Sequence, residues 1–429
     1  MINMNKNNLD PQIMEKALKI MDLTSYNICP RCLGRNFSMD IDAPDNLERG
    51  EYIQNNLYDE SCADCRIHMC YICGNIFQNI NNQLIEYISQ EIKDSNIEFD
   101  TLLIGSRVDK DIIEKEQEIQ KKIGVNVENI KKEINREIGK ALSVRMDKDV
   151  DFETPHLVIL VDFTREGNKP GFNEEYKPRL EFQINPLFIE GRYRKLVRGI
   201  PQTKWPCREC KGKGCERCNY TGKMYQESVE ELVSPEFLKQ SQGSETKFHG
   251  AGREDIDVRM LGTGRPFVLE IKEPHRRALN LKNLEDEVNQ SADGKVEVSG
   301  LEFVGKERRK HIKTSSTDSY KVYNALVKVE KEITTEDMEL IKSLKLIDQR
   351  TPQRVVHRRA DIIRKRKVRN IEVKKLDGGC LELVIECQGG LYIKELISGD
   401  DNRTLPSVSS LLETKAQCVQ LDVLNVHVA

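Results

Sequence analysis

A chain of 429 residues is longer than one hydrophobic core organises, so two or three domains are expected. Its net charge of −3 hides a segregation: 191–204 and 350–369 are basic, whereas acids gather around 91–115 and 227–236. No apolar run approaches a bilayer span and the first residues lack a signal-peptide core, so a cytoplasmic protein without a membrane segment is expected.

The first 80 residues hold three Cys-x-x-Cys pairs, Cys29/Cys32, Cys62/Cys65 and Cys70/Cys73. In a reducing compartment such pairs favour metal over disulfide. Cys29-Pro-Arg-Cys32-Leu-Gly34 and Cys70-Tyr-Ile-Cys73-Gly74 each have the form of a zinc knuckle. A glycine after the second cysteine lets backbone N–H groups face sulfur, and four thiolates close a structural zinc site. The pair Cys62/Cys65, with His68 nearby, could replace a knuckle, form a second site or stay reduced.

From 81 to 190 the pattern is α+β. Ile130, Ile134, Ile138 and Leu142 recur every four residues, as on one face of a helix. The apolar run 156–163 predicts a buried strand, and the alternation of Leu180, Phe182 and Ile184 a half-exposed one. In 191–205, Tyr193 and Trp205 interleave with Arg192, Arg194, Lys195, Arg198 and Lys204, as on surfaces that stack on exposed bases.

A compact module follows, Cys207-x2-Cys210-x4-Cys215-x2-Cys218, whose opening resembles half of the cysteine-rich module of a DnaJ-type chaperone. Four thiolates leave no open coordination position, so its assignment is structure and RNA contact. Ser234-Pro235 predicts a helix start. Strands are expected at 266–272, 320–330, 362–375 and 381–387, with Asp377-Gly378 as a turn, and 283–318 as a polar surface excursion.

The stretch 248–274 presents Asp255 among Arg253, Arg259 and Arg265, flanked by Gly252 and Gly262. Nearby positive charge keeps such a carboxylate ionised, and arginine forks suit phosphate. The setting reads as a site for a polyanion. Asp257 is expected on the other side of the segment, pairing with Arg259 or a neighbouring arginine.

Four strings carry a resemblance: Ile184 to Cys207, His249-Gly-Ala-Gly-Arg-Glu-Asp-Ile-Asp-Val-Arg-Met-Leu-Gly262, Gln349-Arg-Thr-Pro-Gln-Arg-Val-Val-His-Arg-Arg359, and Gly390-Leu-Tyr-Ile-Lys-Glu-Leu-Ile-Ser-Gly-Asp400. They are similar to archaeal tRNA pseudouridine synthases that act on the T-loop, with a THUMP-like N-terminal part. The resemblance implies an α+β, multidomain protein: a zinc-binding knuckle region at 1–80, a THUMP-like RNA-binding domain at 81–190, and a catalytic domain at 191–429 built on a mixed, largely antiparallel sheet. It also implies isomerisation of uridines 54 and 55 of tRNA by one aspartate, with no cofactor for the chemistry.

By the family's Gly-Arg-x-Asp pattern that aspartate is Asp255. Lys394 would hold it charged, Tyr392 would pack in the active site, and Leu391 departs from the usual threonine. Tyr323 would stack on the uracil, with Tyr320 as a rival, and Leu412 would floor the base. The target uridine must be turned out of its loop to be reached, with Arg253, Arg259 and the basic patches on the RNA. A monomer is the default expectation. Two other readings stay open here. A THUMP-bearing methyltransferase or thiolase would need a glycine-rich strand–turn–helix, and Gly262-Thr-Gly264 lacks the third glycine. A zinc-dependent tRNA-binding adaptor would bind without modifying.

Overall fold

The computed structural model describes residues 9–57, 69–165, 177–314, 320–357 and 359–427, so Cys62, Cys65 and His68 lie outside the described residues. The chain divides into two units, Met1–Asn185 and Pro186–Ala429. Among the described residues no helix is long and apolar enough to cross a membrane.

In the first unit, β1 (Thr101–Arg107), β2 (Asp149–Val150), β3 (Leu157–Asp162) and β4 (Arg179–Ile184) form a sheet in the order β2-β1-β3-β4. β1 runs parallel to β2 and β3, and β4 is antiparallel to β3. The expected helix spans Ile130–Met146, capped by the Asn129 side chain on the Lys132 amide, and buries Ile130, Ile134, Ile138 and Leu142. One apolar cluster joins these residues to Ile20, Leu33 and Ile53 of the knuckle region. Gly34 has a different use from the one expected. A Cβ there would meet the Asn46 carbonyl oxygen at 2.1 Å, so the glycine lets helices Pro30–Arg35 and Asn46–Leu57 touch.

The second unit is a ten-stranded sheet of β5 (Leu187–Lys195), β6 (Glu245–Gly250), β7 (Arg259–Lys272), β8 (Val296–Phe303), β9 (Tyr320–Val329), β10 (Leu346–Arg350), β11 (Ile363–Leu376), β12 (Cys380–Gln388), β13 (Thr404–Leu405) and β14 (Ala416–His427). The order is β13-β10-β11-β12-β9-β14-β7-β5-β8, with β6 also on β7. Pairing is antiparallel except between β14 and β7, which gives the mixed, largely antiparallel sheet expected. Asp377-Gly378 does sit at the β11–β12 connection, with Gly378 at φ 73°.

Two expectations fail here. Segment 283–318 is not all excursion: it supplies most of helix Leu281–Ser291 and the edge strand β8. Leu284 and Val288 bury at helical spacing, and Val296 and Val298 at strand spacing. Apolar residues that sparse suffice for elements covering only one sheet edge. The helix expected at Ser234 starts instead at Val229. Ser228 caps it by accepting from the Glu231 amide, and Pro235 lies inside it.

Candidate active site

Strand periodicity builds the floor of the site. Lys321 and Tyr323 on β9, Arg364 and Arg366 on β11, and Leu421 and Val423 on β14 are each two residues apart and share one face. The turn 252–258 and the helix Ile393–Ser398 complete a cavity of about 350 Å³, also lined by Arg253, Asp255, Arg354, Arg359, Tyr392 and Lys394. That volume is within the range of roughly 300–1,000 Å³ usual for small-molecule sites.

Asp255 is presented by a turn that is locked from behind. Gly252 has φ 81°, a conformation other residues resist. The next side chain but one, Glu254, is fully buried and accepts from Tyr193 Oη at 2.9 Å and Arg265 Nε at 2.9 Å. Lys195, equally buried, donates to the Asp255 carbonyl at 3.2 Å and lies 3.9 Å from Glu254. Gln202 donates to Tyr193 Oη and to the Gly252 carbonyl. The turn therefore keeps its shape without help from the carboxylate it displays.

The Asp255 carboxylate faces two cations. Arg354 Nη1 lies 3.0 Å from Oδ2, and Lys394 Nζ 3.4 Å from it. Lys394 is closer to Asp257, at 2.7 and 2.8 Å. Burial alone would raise the Asp257 carboxyl, but the hydrogen bond and charge of Lys394 outweigh it and hold the group below its ordinary value. Asp257 therefore does not point away, nor does it pair with Arg259, which is taken by Asp422 at 2.7 Å. The reason is local: residues 252–258 form a turn, with the Val258 amide on the Asp255 carbonyl, and a turn can aim both carboxylates at one ammonium.

Tyr392 lines the cavity with the Arg354 and Arg359 guanidiniums over its ring at 5.7 and 6.0 Å. Gln349, almost fully buried, bonds both backbone groups of Tyr392, donating to the carbonyl at 3.0 Å and accepting from the amide at 2.8 Å. That clamp fixes the start of the helix bearing Lys394. Between the two rival tyrosines, Tyr323 lines the cavity, whereas Tyr320 lies against the Arg369 guanidinium at 3.0 Å.

Other expected residues sit elsewhere. Leu412 is buried in the sheet's core and does not line the cavity; the apolar lining comes from Val258, Leu391, Ile393, Leu421 and Val423. Arg265 is not free for phosphate, being buried against Glu254. Tyr193 cannot stack on a base, since it is buried edge-on to Phe248 and Phe267. Much of the 191–204 patch is likewise spent internally: Arg192 on the Thr263, Gly264 and Val426 carbonyls, Arg194 on Glu297, Arg198 on Asp422.

Sequence reasoning gave no individual role to Arg354, Glu254 or Lys321. Lys321 is nearly buried at the cavity wall, and burial followed by the charge of Arg265 pushes its ammonium down to about 8. Its signal in the sequence was its position two residues before Tyr323, hence on the same strand face.

The cysteines gather as two tetrads, Cys29/Cys32/Cys70/Cys73 and Cys207/Cys210/Cys215/Cys218, each with sulfurs within 4.8 Å of one another. Contacts of 3.8 Å (Cys29–Cys73) and 3.7 to 3.9 Å (second tetrad) match the ~3.8 Å edge of a tetrahedron with metal–sulfur distances of about 2.3 Å. Amides of Gly214, Cys215 and Gly222 point at sulfur in the second, and Arg35 donates to Cys32 Sγ in the first. Either tetrad could hold a metal ion.

Residues 188–427 match the family described as Pus10, C-terminal, and residues 86–162 match the Pus10 THUMP domain, archaeal. The chain belongs to the Pus10 family of pseudouridine synthases. It is 49% identical over 417 residues to a protein of Methanothermobacter marburgensis named tRNA pseudouridine synthase Pus10, covering 96% of this chain and 98% of that one. Proteins of the same name from Methanosphaera stadtmanae and Pyrococcus furiosus are 46% and 42% identical, again over 96% of this chain and 99% and 98% of theirs.

Proposed function

We propose that this Pus10 protein isomerises uridine to pseudouridine in tRNA, at uridines 54 and 55 of the T-loop, with Asp255 as the acting carboxylate. The observation that carries the reading is the site itself: one carboxylate on a locked turn, 3.0 and 3.4 Å from two cations, in a cavity with a tyrosine wall. The N1–C1′ bond breaks with its electrons on the uracil, the ring turns, and C5 bonds to C1′. C5 then loses its proton and N1 gains one, so substrate and product are isomers and no co-reactant is consumed.

Asp255 acts either by attacking C1′ or by drawing a proton from C2′ on the way to a glycal. Arg354 and Lys394, in contact with the carboxylate, orient it for both routes. Tyr323 stacks on the uracil while Tyr392 and its two arginines close the pocket. The substrate nucleotide enters turned out of its loop. The two cysteine tetrads hold structural zinc, which braces the fold and takes no part in the bond changes.

The test is to incubate purified protein with an unmodified tRNA transcript, map pseudouridine, and repeat with Asp255→Ala. Pseudouridine at positions 54 and 55 with wild type, and none with the variant, is the expected result. Modification surviving the substitution would remove Asp255 from its role. Tight binding without any modification would favour a tRNA-binding adaptor.

A further inference from the structure

Six arginines line the cavity, and they fall into two groups. Arg265 and Arg354 are paired with carboxylates, at 2.9 Å to Glu254 and 3.0 Å to Asp255. Among the described residues, Arg253, Arg359, Arg364 and Arg366 have no carboxylate partner. A guanidinium facing a partly enclosed space without a counter-charge is costly unless an anion arrives to meet it.

Arg366 shows this most sharply. Its Nε is buried and has no hydrogen-bond partner among the described residues, while Nη1 is spent on the Lys365 carbonyl at 2.9 Å. Buried polar atoms of this kind call for a missing partner. Strand alternation puts Arg364 beside it on the same inward face, with Lys365 and Lys367 exposed on the other. Arg364 is oriented by donating to Thr351 Oγ1 at 2.8 Å. Facing Arg366 is Gly390, at φ 87°, where a Cβ would stand 3.3 Å from Arg366 Nε. A glycine there keeps backbone and guanidinium close and the approach to Nε clear.

We infer that Arg364 and Arg366, with the open backbone at Gly390, form an anion subsite that binds a phosphodiester flanking the turned-out uridine. The inference deepens the proposed function and rests on it. A nucleotide turned into the cavity carries its two flanking phosphates to the rim, and planar guanidiniums are the donors best matched to phosphate oxygens. The subsite would hold the nucleotide out of its stack, and Arg366 is then a positioning residue with no part in the bond changes.

The experiment uses ligated tRNA transcripts carrying one uncharged methylphosphonate linkage, either 5′ or 3′ of the target uridine. kcat/KM for pseudouridine formation is measured with wild type, Arg366→Gln and Arg366→Lys. One of the two linkages should slow the wild type roughly ten- to hundred-fold, the usual worth of a hydrogen bond to a charged group. Arg366→Gln should lose a similar factor on the ordinary transcript and then be indifferent to that linkage, within about threefold. Arg366→Lys should fall between.

Wild type that turns over both linkages as fast as the ordinary transcript overturns the subsite and leaves the proposed function standing. Losses from linkage and Arg366→Gln that multiply also overturn it. Should Arg366→Gln fail to fold, the two linkages tested on wild type still decide. Wild type that makes no pseudouridine from the ordinary transcript refutes the proposed function, and the subsite falls with it.

Discussion

Replacing Glu254 by glutamine tests what keeps the turn bearing Asp255 in place. The Glu254 carboxylate is fully buried and takes the Tyr193 hydroxyl at 2.9 and 3.0 Å and Arg265 Nε at 2.9 Å, with Lys195 Nζ 3.9 Å away. Glutamine nearly matches the shape but leaves two buried cations facing a neutral amide. Breaking a buried pair on one side costs about 3–5 kcal/mol, because the orphaned charge cannot return to water. For a unit of this size that corresponds to a Tm about 6–20 °C lower. The assay is calorimetry of the full chain, following the transition that contains Pro186–Ala429. The double variant Glu254→Gln/Arg265→Met should lose clearly less than the two single losses added, since each partner's removal relieves the other. A Tm lowered by less than about 2 °C, or strictly additive losses, would refute the reasoning. Activity should fall alongside, because Lys195 also holds the Asp255 carbonyl and Arg265 the Ala251 carbonyl just before the turn.

Three further outcomes are expected. Asp257→Asn should keep activity within roughly tenfold while Asp255→Asn loses at least about a thousandfold, measured as single-turnover pseudouridine formation; equal losses would mean that the carboxylate closer to Lys394 is the reacting one. Lys321→Met should be more stable than wild type at pH 7. The ammonium is pushed down to about 8 from its ordinary 10.5, a cost of at most about 3 kcal/mol that is fully present below pH 8. As pH rises from about 8 to 10.5 the unfolded chain keeps a proton that the folded one has shed, so that cost fades. The Tm advantage of the variant should shrink across this window, and a constant difference would contradict the assignment. Metal analysis should find an ion for each tetrad, with Cys70→Ser and Cys215→Ser each removing one; a chain purified metal-free with unchanged melting would rule out a structural metal at both.

Features that depend on neighbours along the chain were legible before folding was considered. The four-residue recurrence of Ile130 to Leu142 made a buried helix face, the apolar run at 156–163 made β3, and the alternation of Leu180, Phe182 and Ile184 made β4. The cysteine spacings foretold two sulfur tetrads. Where the apolar signal was thin, as in helix Leu281–Ser291 and β8, local pattern was not enough, because those elements bury only a few side chains at one edge.

Charges were the opposite case, since an ion pair is made through space by elements far apart in sequence. Composition and spacing by themselves determined that Asp255 would lie among cations on a glycine-bearing turn. Only the tertiary structure decided that Arg354, 99 positions away, is the nearer cation, and that Lys394 bridges both aspartates. It alone separated Arg265, Lys195 and Tyr193, buried and spent on internal partners, from Arg364 and Arg366, which line the cavity with no carboxylate partner among the described residues. The physical reason is desolvation: an arginine is worth a structural ion pair or an anion site according to its burial and partners, and neither is written in the residues beside it.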